Sequence, residues 1–256
     1  ILTGFGLVMV LSATSATSED AGGGPYDAVI KQGVFAVVGI PLMFLASRMP
    51  LRFWKRMAWP ALIGATVFKL LVFTPLGITN DGNQNWIRIA GLQAQPSEFL
   101  KVTLAIWLGY ILYRKRTLLA DWRHVFIPAV PVGIAVIGTV MAGHDLGTAI
   151  ILVLIMLAGL FFSGVKLRVF LLPLLLFAGG VAYFAISSPD RMRRYMSFLS
   201  NDCLADYYGD CYQPLHGIWG LAGGGVFGVG LGNSKEKYSW LPEADNDYIF
   251  AIVGEE

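Results

Sequence analysis

The chain has 256 residues, of which 55% are hydrophobic and only 14% are charged, and its formal net charge at pH 7 is +2. Soluble domains typically carry a charge on about a quarter of their residues, so this composition excludes an ordinary soluble domain and indicates an integral membrane protein. So small a net charge gives no argument for binding nucleic acid.

Eight apolar runs follow one another along the chain. Several approach the roughly 20 residues that a membrane-spanning helix needs. The sequence therefore predicts an all-α, polytopic membrane fold with about eight transmembrane helices. Because the chain begins and ends within apolar runs and lacks an initial Met, we expect a fragment of a longer protein, cut at both ends. The runs cover about residues 1–14, 29–47, 57–76, 97–113, 125–142, 146–164, 167–187 and 248 onward.

The loops between these runs alternate in charge, which predicts the side of the membrane on which each lies. By the positive-inside rule, the basic set is cytoplasmic and the other set is outside. The same alternation predicts a large extracytoplasmic loop at 188–247 within a single transmembrane domain that spans 1–256. The basic loops are at 48–56, 114–124 and 163–168, and the others at 15–32, 77–96 and 143–145.

The predicted outer loop contains two further features. Residues 214–231 are apolar but rich in glycine, which predicts a poor free-standing helix; we expect a re-entrant or interfacial segment, with the glycines used for close packing. Cys203 and Cys211 are the only cysteines. Outside the cytoplasm they would be able to form a disulfide, although two free thiols fit the sequence nearly as well.

The leading functional candidate is the stretch from 223 to 256, where a polar segment separates a glycine-rich apolar run from a new apolar run. Charged groups at such a place are costly unless they face water, one another or a polar ligand. Asp247 lies where the chain re-enters the membrane, on one face with Glu243 if a helix begins there. It is a candidate general base, and an acid that complements a helix dipole fits the same pattern.

Five cations lie on the predicted outer side, against the positive-inside trend. A polyanionic ligand such as a diphosphate would account for them, because guanidinium groups match phosphate oxygens in pairs. Pairing with the aspartates of the same loop would account for them equally well. The five are Arg191, Arg193, Arg194, Lys235 and Lys237.

Other polar positions lie near the ends of predicted membrane helices. Glu98 and Lys101 form an i,i+3 pair on one helical face, which suits either a ligand cavity or a structural ion pair. Asp145 is a candidate site acid or a helix cap. Trp86 follows a polar turn and suits an interface anchor. Lys69 lies well inside its helix, and we expect it to snorkel or to find a partner.

Motifs spread over the whole chain resemble the SEDS family, the shape, elongation, division and sporulation membrane glycosyltransferases. The most specific is GVGLGNSKEKYSWLPEADNDYIFAIVGEE at 228–256, in which GLGNS followed by Lys237 favours the division branch over the elongation branch. The others are NDGNQNWIRIAGLQAQPSEFLK at 80–101, HDLGTAIIL at 144–152, DRMRRYMSFL at 190–199 and YQ at 212–213.

The resemblance implies about ten membrane helices of the usual length in a complete member, of which this chain covers the first part. It implies that lipid II is polymerised into glycan strands on the outer face of the bacterial cytoplasmic membrane, with undecaprenyl diphosphate as the leaving group. The partners that it implies are a class B penicillin-binding transpeptidase and other divisome proteins.

The resemblance also assigns site residues. The catalytic acid of the family matches Asp247, and the chain departs from the family pattern just before it, where Asp245-Asn246 replaces His-Thr. A sugar hydroxyl is a weak nucleophile that needs a base, and a diphosphate leaving group needs Arg, Lys or a divalent metal such as Mg or Mn. The expected substrate-binding residues are Arg191, Arg193, Arg194, Lys235, Lys237, Ser234, Glu243, Trp86, Glu98, Lys101 and Asp145.

Three alternatives remain open from the residues. A lipid II flippase or other transporter would place its charges near the membrane midplane, whereas most charges here lie at the outer face. A non-catalytic scaffold for a division complex would not need Asp247. The elongation paralogue would share the chemistry and differ in its partner.

Overall fold

The computed structural model describes residues 1–20, 24, 26–80, 83–89, 92–119, 121–165, 167–187, 192, 196, 207–209 and 211–256. The described residues form nine α-helices, two short 3-10 helices and a small β-sheet. The α-helices are α1 (Leu2–Asp20), α2 (Asp27–Arg48), α3 (Leu51–Leu70), α4 (Pro96–Arg114), α5 (Trp122–Met141), α6 (Leu146–Phe162), α7 (Leu167–Ser187), α8 (Tyr212–Gly224) and α9 (Ile249–Glu255).

The fold is mostly helical, as the apolar runs predict, and each run overlaps a helix. The loop predicted at 48–56 is wrong, because α3 already begins at Leu51. Pro50 is extended, with ψ 150°, and occupies the N-cap position. The basic residues that follow, such as Arg52 and Lys55, are good helix formers and continue the helix instead of interrupting it.

The described chain divides into two compact units, one of residues 49–184 and the other of residues 1–48 and 185–256. The division falls at the boundary between α2 and α3 and near the end of α7. That the whole of 1–256 forms one transmembrane domain stays a prediction, as does the extracytoplasmic position of 188–247.

The core of unit 49–184 lies among the helices α3 to α6. At its centre Trp107 of α4 is fully buried, with its ring edge-on to Trp59 of α3 at 5.3 Å. Gly159 of α6 lets α4 approach closely, since a Cβ built there would lie 2.4 Å from Cδ2 of Leu108. Close packing of small against large side chains therefore holds these helices together.

A three-stranded antiparallel sheet occupies the segment that the sequence predicts as a polar turn, so the all-α prediction is wrong for this segment. β1 (Gly77–Asn80) pairs with β2 (Asn83–Ile89), and β2 pairs with β3 (Leu92–Ala94). Trp86 and the β-branched residues of β2 favour a strand. The polar, glycine-containing residues 80–83 are a hairpin signal that the helical pattern elsewhere concealed.

Two described helices are long and apolar enough to cross a membrane: α2, and α3 with its 3-10 extension, Leu51–Phe73. None of the 22 residues of α2 is buried. A helix that exposes apolar side chains all round is stable in lipid rather than in water. The structure therefore supports an integral membrane protein, while the figure of about eight spans stays a prediction.

In the other unit, α8 packs against α9 at buried glycines. A Cβ built at Gly217 would lie 2.6 Å from the ring of Tyr248, and one at Gly224 would lie 2.0 Å from the carbonyl oxygen of Gly254. The expectation of close packing is confirmed at these positions. The helix at 212–224 is not free-standing, because its contacts with α9 offset the low helix propensity of glycine, and its re-entrant or interfacial position stays a prediction.

Gly77, at the start of β1, has no room for a side chain, because a Cβ built there would lie 1.9 Å from the carbonyl oxygen of Val72. We expect Gly77→Ala to lower the free energy of unfolding by about 2 kcal/mol or more. Thermal unfolding of the full-length protein in detergent would show this as a lower Tm. The matched control is Gly64→Ala in α3, where a Cβ meets nothing within 4 Å; an equal Tm for the two variants would contradict the prediction.

Candidate functional site

A buried polar network surrounds Glu256, the C-cap residue of α9. Its Oε1 lies 2.9 Å from Nζ of Lys237, and both side chains are 1% exposed. Ser12 of α1 donates its hydroxyl to the Glu256 carboxylate at 2.7 Å. Lys237 also donates to Oγ of Ser12 at 3.1 Å and to the carbonyl of Gly232 at 2.7 Å. A buried ion pair is tolerated when its remaining hydrogen-bonding capacity is used in this way.

Glu255, the last residue of α9, organises the turn that precedes Lys237. Its carboxylate accepts the hydroxyl of Ser234 at 2.5 Å and the backbone N–H groups of Lys235 at 2.9 Å and Glu236 at 3.3 Å. Charge-assisted hydrogen bonds are stronger than neutral ones. The expected substrate-binding residue Ser234 is thus buried and engaged in holding this turn.

His216 of α8 joins this network through Glu236, and no sequence pattern points to it because its hydrogen-bond partners lie 9 and 20 residues away in the chain. Its Nδ1 lies 2.7 Å from Oε2 of Glu236, and its Nε2 lies 2.9 Å from the hydroxyl of Tyr207. The rings of Tyr212 and Trp219 lie 4.4 and 5.0 Å from the imidazole. Partial burial raises the pKa of the Tyr207 hydroxyl, and the Tyr212 phenol acts in the same direction.

Asp247 is exposed and makes no hydrogen bond or ion pair with any described residue. It does not cap α9, whose N-cap is Tyr248. The expectation that Glu243 and Asp247 share a helical face is wrong, since residues 242–248 form turns and the helix begins only at Ile249. Glu243 has a left-handed φ of 54°, and its carbonyl accepts the N–H of Tyr248 at 3.0 Å, a geometry that closes a turn.

The described cations of the predicted outer loop differ in their availability. Lys237 is neutralised by Glu256, whereas the side chain of Lys235 is exposed and has no partner among the described residues. Of these two, only Lys235 is therefore free to meet a ligand in this conformation. Three further predicted cations lie outside the described residues: Arg191, Arg193 and Arg194.

Cys211 precedes α8 and is buried and disulfide-bonded. The sequence contains one other cysteine, Cys203. Because Cys203 lies outside the described residues, the pairing of these two cysteines stays a prediction.

The other candidate residues lie in unit 49–184. Nζ of Lys101 is 2.7 Å from Oε1 of Glu98 in the first turns of α4, which confirms the i,i+3 pair. Trp86 is half-buried on β2. Asp145 caps α6, since its Oδ1 accepts the N–H of Thr148 at 2.9 Å, and its Oδ2 is buried without a hydrogen bond.

No group of three or more His, Cys, Asp or Glu side chains in the described ranges is arranged to hold a metal ion. A cation such as Mg²⁺ is often held by one or two carboxylates together with the phosphates of a substrate. A requirement for Mg or Mn therefore stays a prediction, and a site built from protein side chains alone does not fit the described residues.

The exposed apolar helices define this chain as an integral membrane protein. It belongs to the FTSW_RODA_SPOVE family of cell cycle proteins, whose model matches residues 1–256. This match confirms the family resemblance on which the site assignments depend.

Individual relatives agree with the family assignment. The chain is 36% identical over its whole length to the probable peptidoglycan glycosyltransferase FtsW of Mycobacterium tuberculosis and covers 49% of that protein. It is 34% identical to the protein of the same name from Geobacter sp. strain M18 and covers 70% of it. The chain thus spans about half the length of its mycobacterial relative.

A solved structure supports the fold. The chain superimposes with a TM-score of 0.59 on a chain of a peptidoglycan synthase complex that coordinates polymerization and crosslinking. The match covers 89% of this chain and 66% of that one at 22% sequence identity.

The two lysines of the turn should respond differently to the same substitution. Lys237→Met leaves the buried carboxylate of Glu256 without its counter-charge, so we expect a loss of about 3–5 kcal/mol in the free energy of unfolding. Lys235→Met removes an exposed side chain and should leave this free energy nearly unchanged. Thermal unfolding of the full-length protein measures both, and similar losses in the two variants would refute the assignment of Lys237 to the core.

Proposed function

We propose that the complete protein is a peptidoglycan glycosyltransferase, which polymerises lipid II on the outer face of the cytoplasmic membrane during cell division. Membership of the family supports the proposal, as do the names of relatives at 34–36% identity. The observation that carries the mechanism is the availability of the Asp247 carboxylate. It is an exposed carboxylate without a described partner, next to glutamates that are engaged in the network.

Asp247 is proposed as the general base. The acceptor is a sugar hydroxyl of the incoming lipid-linked disaccharide, and Asp247 takes its proton as the hydroxyl oxygen attacks the anomeric carbon of the growing strand. The bond from that carbon to undecaprenyl diphosphate breaks, and the diphosphate leaves with the electron pair. A carboxylate that is not already bound to the protein is suited to this role, because its oxygens are free to accept the proton.

The leaving diphosphate needs positive charge. Lys235 is the described cation that suits this role, because it is exposed and unpaired among the described residues. Arg191, Arg193 and Arg194 are proposed to complete the clamp. Lys237, which is bound to Glu256, is proposed to hold the turn that carries Lys235 rather than to contact substrate.

The setting of the reaction is part of the proposal. The apolar helices hold the protein in the cytoplasmic membrane as a multi-pass protein, with residues 188–247 on its outer side, where lipid II and the nascent strand meet. A class B penicillin-binding transpeptidase is the proposed partner that crosslinks the product, together with other divisome proteins. The superimposed peptidoglycan synthase complex couples polymerization to crosslinking, which agrees with such a pairing.

The test is polymerisation of purified lipid II by the full-length protein with its transpeptidase partner. We expect Asp247→Asn to lower the rate by at least about 100-fold. Tm and lipid II binding should be unchanged, since Asp247 is exposed and its side chain makes no hydrogen bond or ion pair with a described residue. The matched control is Asp245→Asn, the same change two residues earlier, which should retain most of the activity.

Each other outcome has a defined meaning. Full activity of Asp247→Asn would remove it as the base and direct the search to Glu243 or Asp145. No product from the folded wild-type protein would refute the enzyme and favour a lipid II transporter, which transbilayer movement of lipid II in proteoliposomes would then test.

A further inference from the structure

Lys69, in the last turn of α3, is fully buried. The helix with its extension is long and apolar enough to span the membrane, and lysines near the ends of such helices usually extend toward water. Lys69 instead donates to Oδ1 of Asn85 on β2 at 3.1 Å, and Asn85 is itself buried. A neutral amide oxygen uses one of three ammonium protons and does not compensate the charge.

Among the described residues, Asp145 carries the charge that complements Lys69. Its Oδ1 caps α6, while its Oδ2 is buried and accepts no hydrogen bond. Asp145 follows Gly143 by two residues, and a Cβ built at Gly143 would lie 3.3 Å from Nζ of Lys69. Asp145 and Lys69 are therefore close in the fold, although they are not among the direct ion pairs of the described residues. The unused donors of Lys69 and the unused acceptor of Asp145 are thus opposite in charge and complementary in hydrogen bonding.

Gly143, in the turn between α5 and α6, packs directly against Lys69 and Asn85. The carbonyl of Gly143 accepts the N–H of Gln84 at 3.0 Å. A Cβ built at Gly143 would lie 3.0 Å from Oδ1 of Asn85 and 3.3 Å from Nζ of Lys69. The end of α3, the strand β2 and the start of α6 therefore meet at one buried polar point.

We propose that Lys69 is a positioning residue, the buried counter-charge of Asp145. Through Asn85 it fixes β2, which carries the neighbouring Trp86, and through its charge it fixes Asp145 at the start of α6. Trp86 and Asp145, which are both expected at the substrate, are thereby held in one arrangement by Lys69, which does not itself reach the substrate. The effect on substrate rests on the proposed function, whereas the pairing of the two charges does not.

The pairing is tested by a double-mutant cycle on the full-length protein in nanodiscs, with the apparent Tm as readout. Asp145→Asn removes the charge and keeps a good N-cap side chain. We expect Lys69→Met and Asp145→Asn each to lower Tm by roughly 5 °C or more. The double variant should lose clearly less than the sum of the two, because it leaves no uncompensated buried charge.

The control for the cycle is Lys55→Met, the same substitution at the other end of α3, where Nζ lies 3.9 Å from the centre of the Tyr113 ring. Its effect on Tm should add to that of Asp145→Asn. Additive effects for Lys69→Met and Asp145→Asn would overturn the pairing.

The positioning role is tested by ¹⁹F NMR of protein labelled with 5-fluorotryptophan, in which Trp86→Phe identifies the resonance of Trp86. We expect Lys69→Met to shift this resonance and Lys55→Met to leave it in place. In lipid II polymerisation, Lys69→Met should lower kcat/KM by about tenfold at a temperature where it is folded.

An unmoved Trp86 resonance in Lys69→Met would overturn the positioning role, and so would a kcat/KM equal to that of the wild type. If the wild-type protein failed to polymerise lipid II, the proposed function would be refuted. The double-mutant cycle would still decide whether Lys69 and Asp145 act as a pair, and the ¹⁹F resonance of Trp86 would still test the positioning role.

Discussion

A charge removed from water must be compensated within the protein, and this constraint organises both units of the chain. In one unit, Lys237 and Glu256 satisfy it directly, and Ser12 supplies a hydrogen bond from α1 to the same carboxylate. The turn before Lys237 depends on the adjacent Glu255 in the same way. Because a half-compensated buried charge is strongly destabilising, these contacts form as a set. Together they give a defined conformation to a glycine-rich segment that has little helix propensity of its own.

The same constraint separates structural charges from charges that are available for chemistry. Glu236, Glu255 and Glu256 are bound by His216, by the turn and by Lys237, respectively. Asp247 and Lys235 lie in the same segment and remain exposed without described partners. A buried polar network beside exposed groups of opposite charge suits the proposed acid–base catalysis, because a network of this kind limits the motion of the groups that it carries.

Local patterns in the sequence predicted the features that depend on neighbouring residues. Apolar runs located the described helices other than α8, and the spacing of Glu98 and Lys101 predicted their ion pair. The sheet at 77–94 was missed, since its short strands lie between strong helical signals. The contacts of His216, Ser12 and Lys69 join residues far apart in the chain, and no local pattern encodes them. For the same reason Lys237 was expected at the substrate: an exposed and a buried lysine look alike until their partners are known.

The bond between Ser12 and Glu256 joins residues 244 positions apart, in the two segments of a unit that the other unit interrupts. During synthesis, residues 49–184 are all present before the second half of the interrupted unit has been made. Lys237 emerges while its counter-charge is still missing, and α1 lacks its partner on α9 throughout this period. The order of the chain thus dictates that the residues around Asp247 and Lys235 obtain their partners only after the helical core of the other unit has been synthesised.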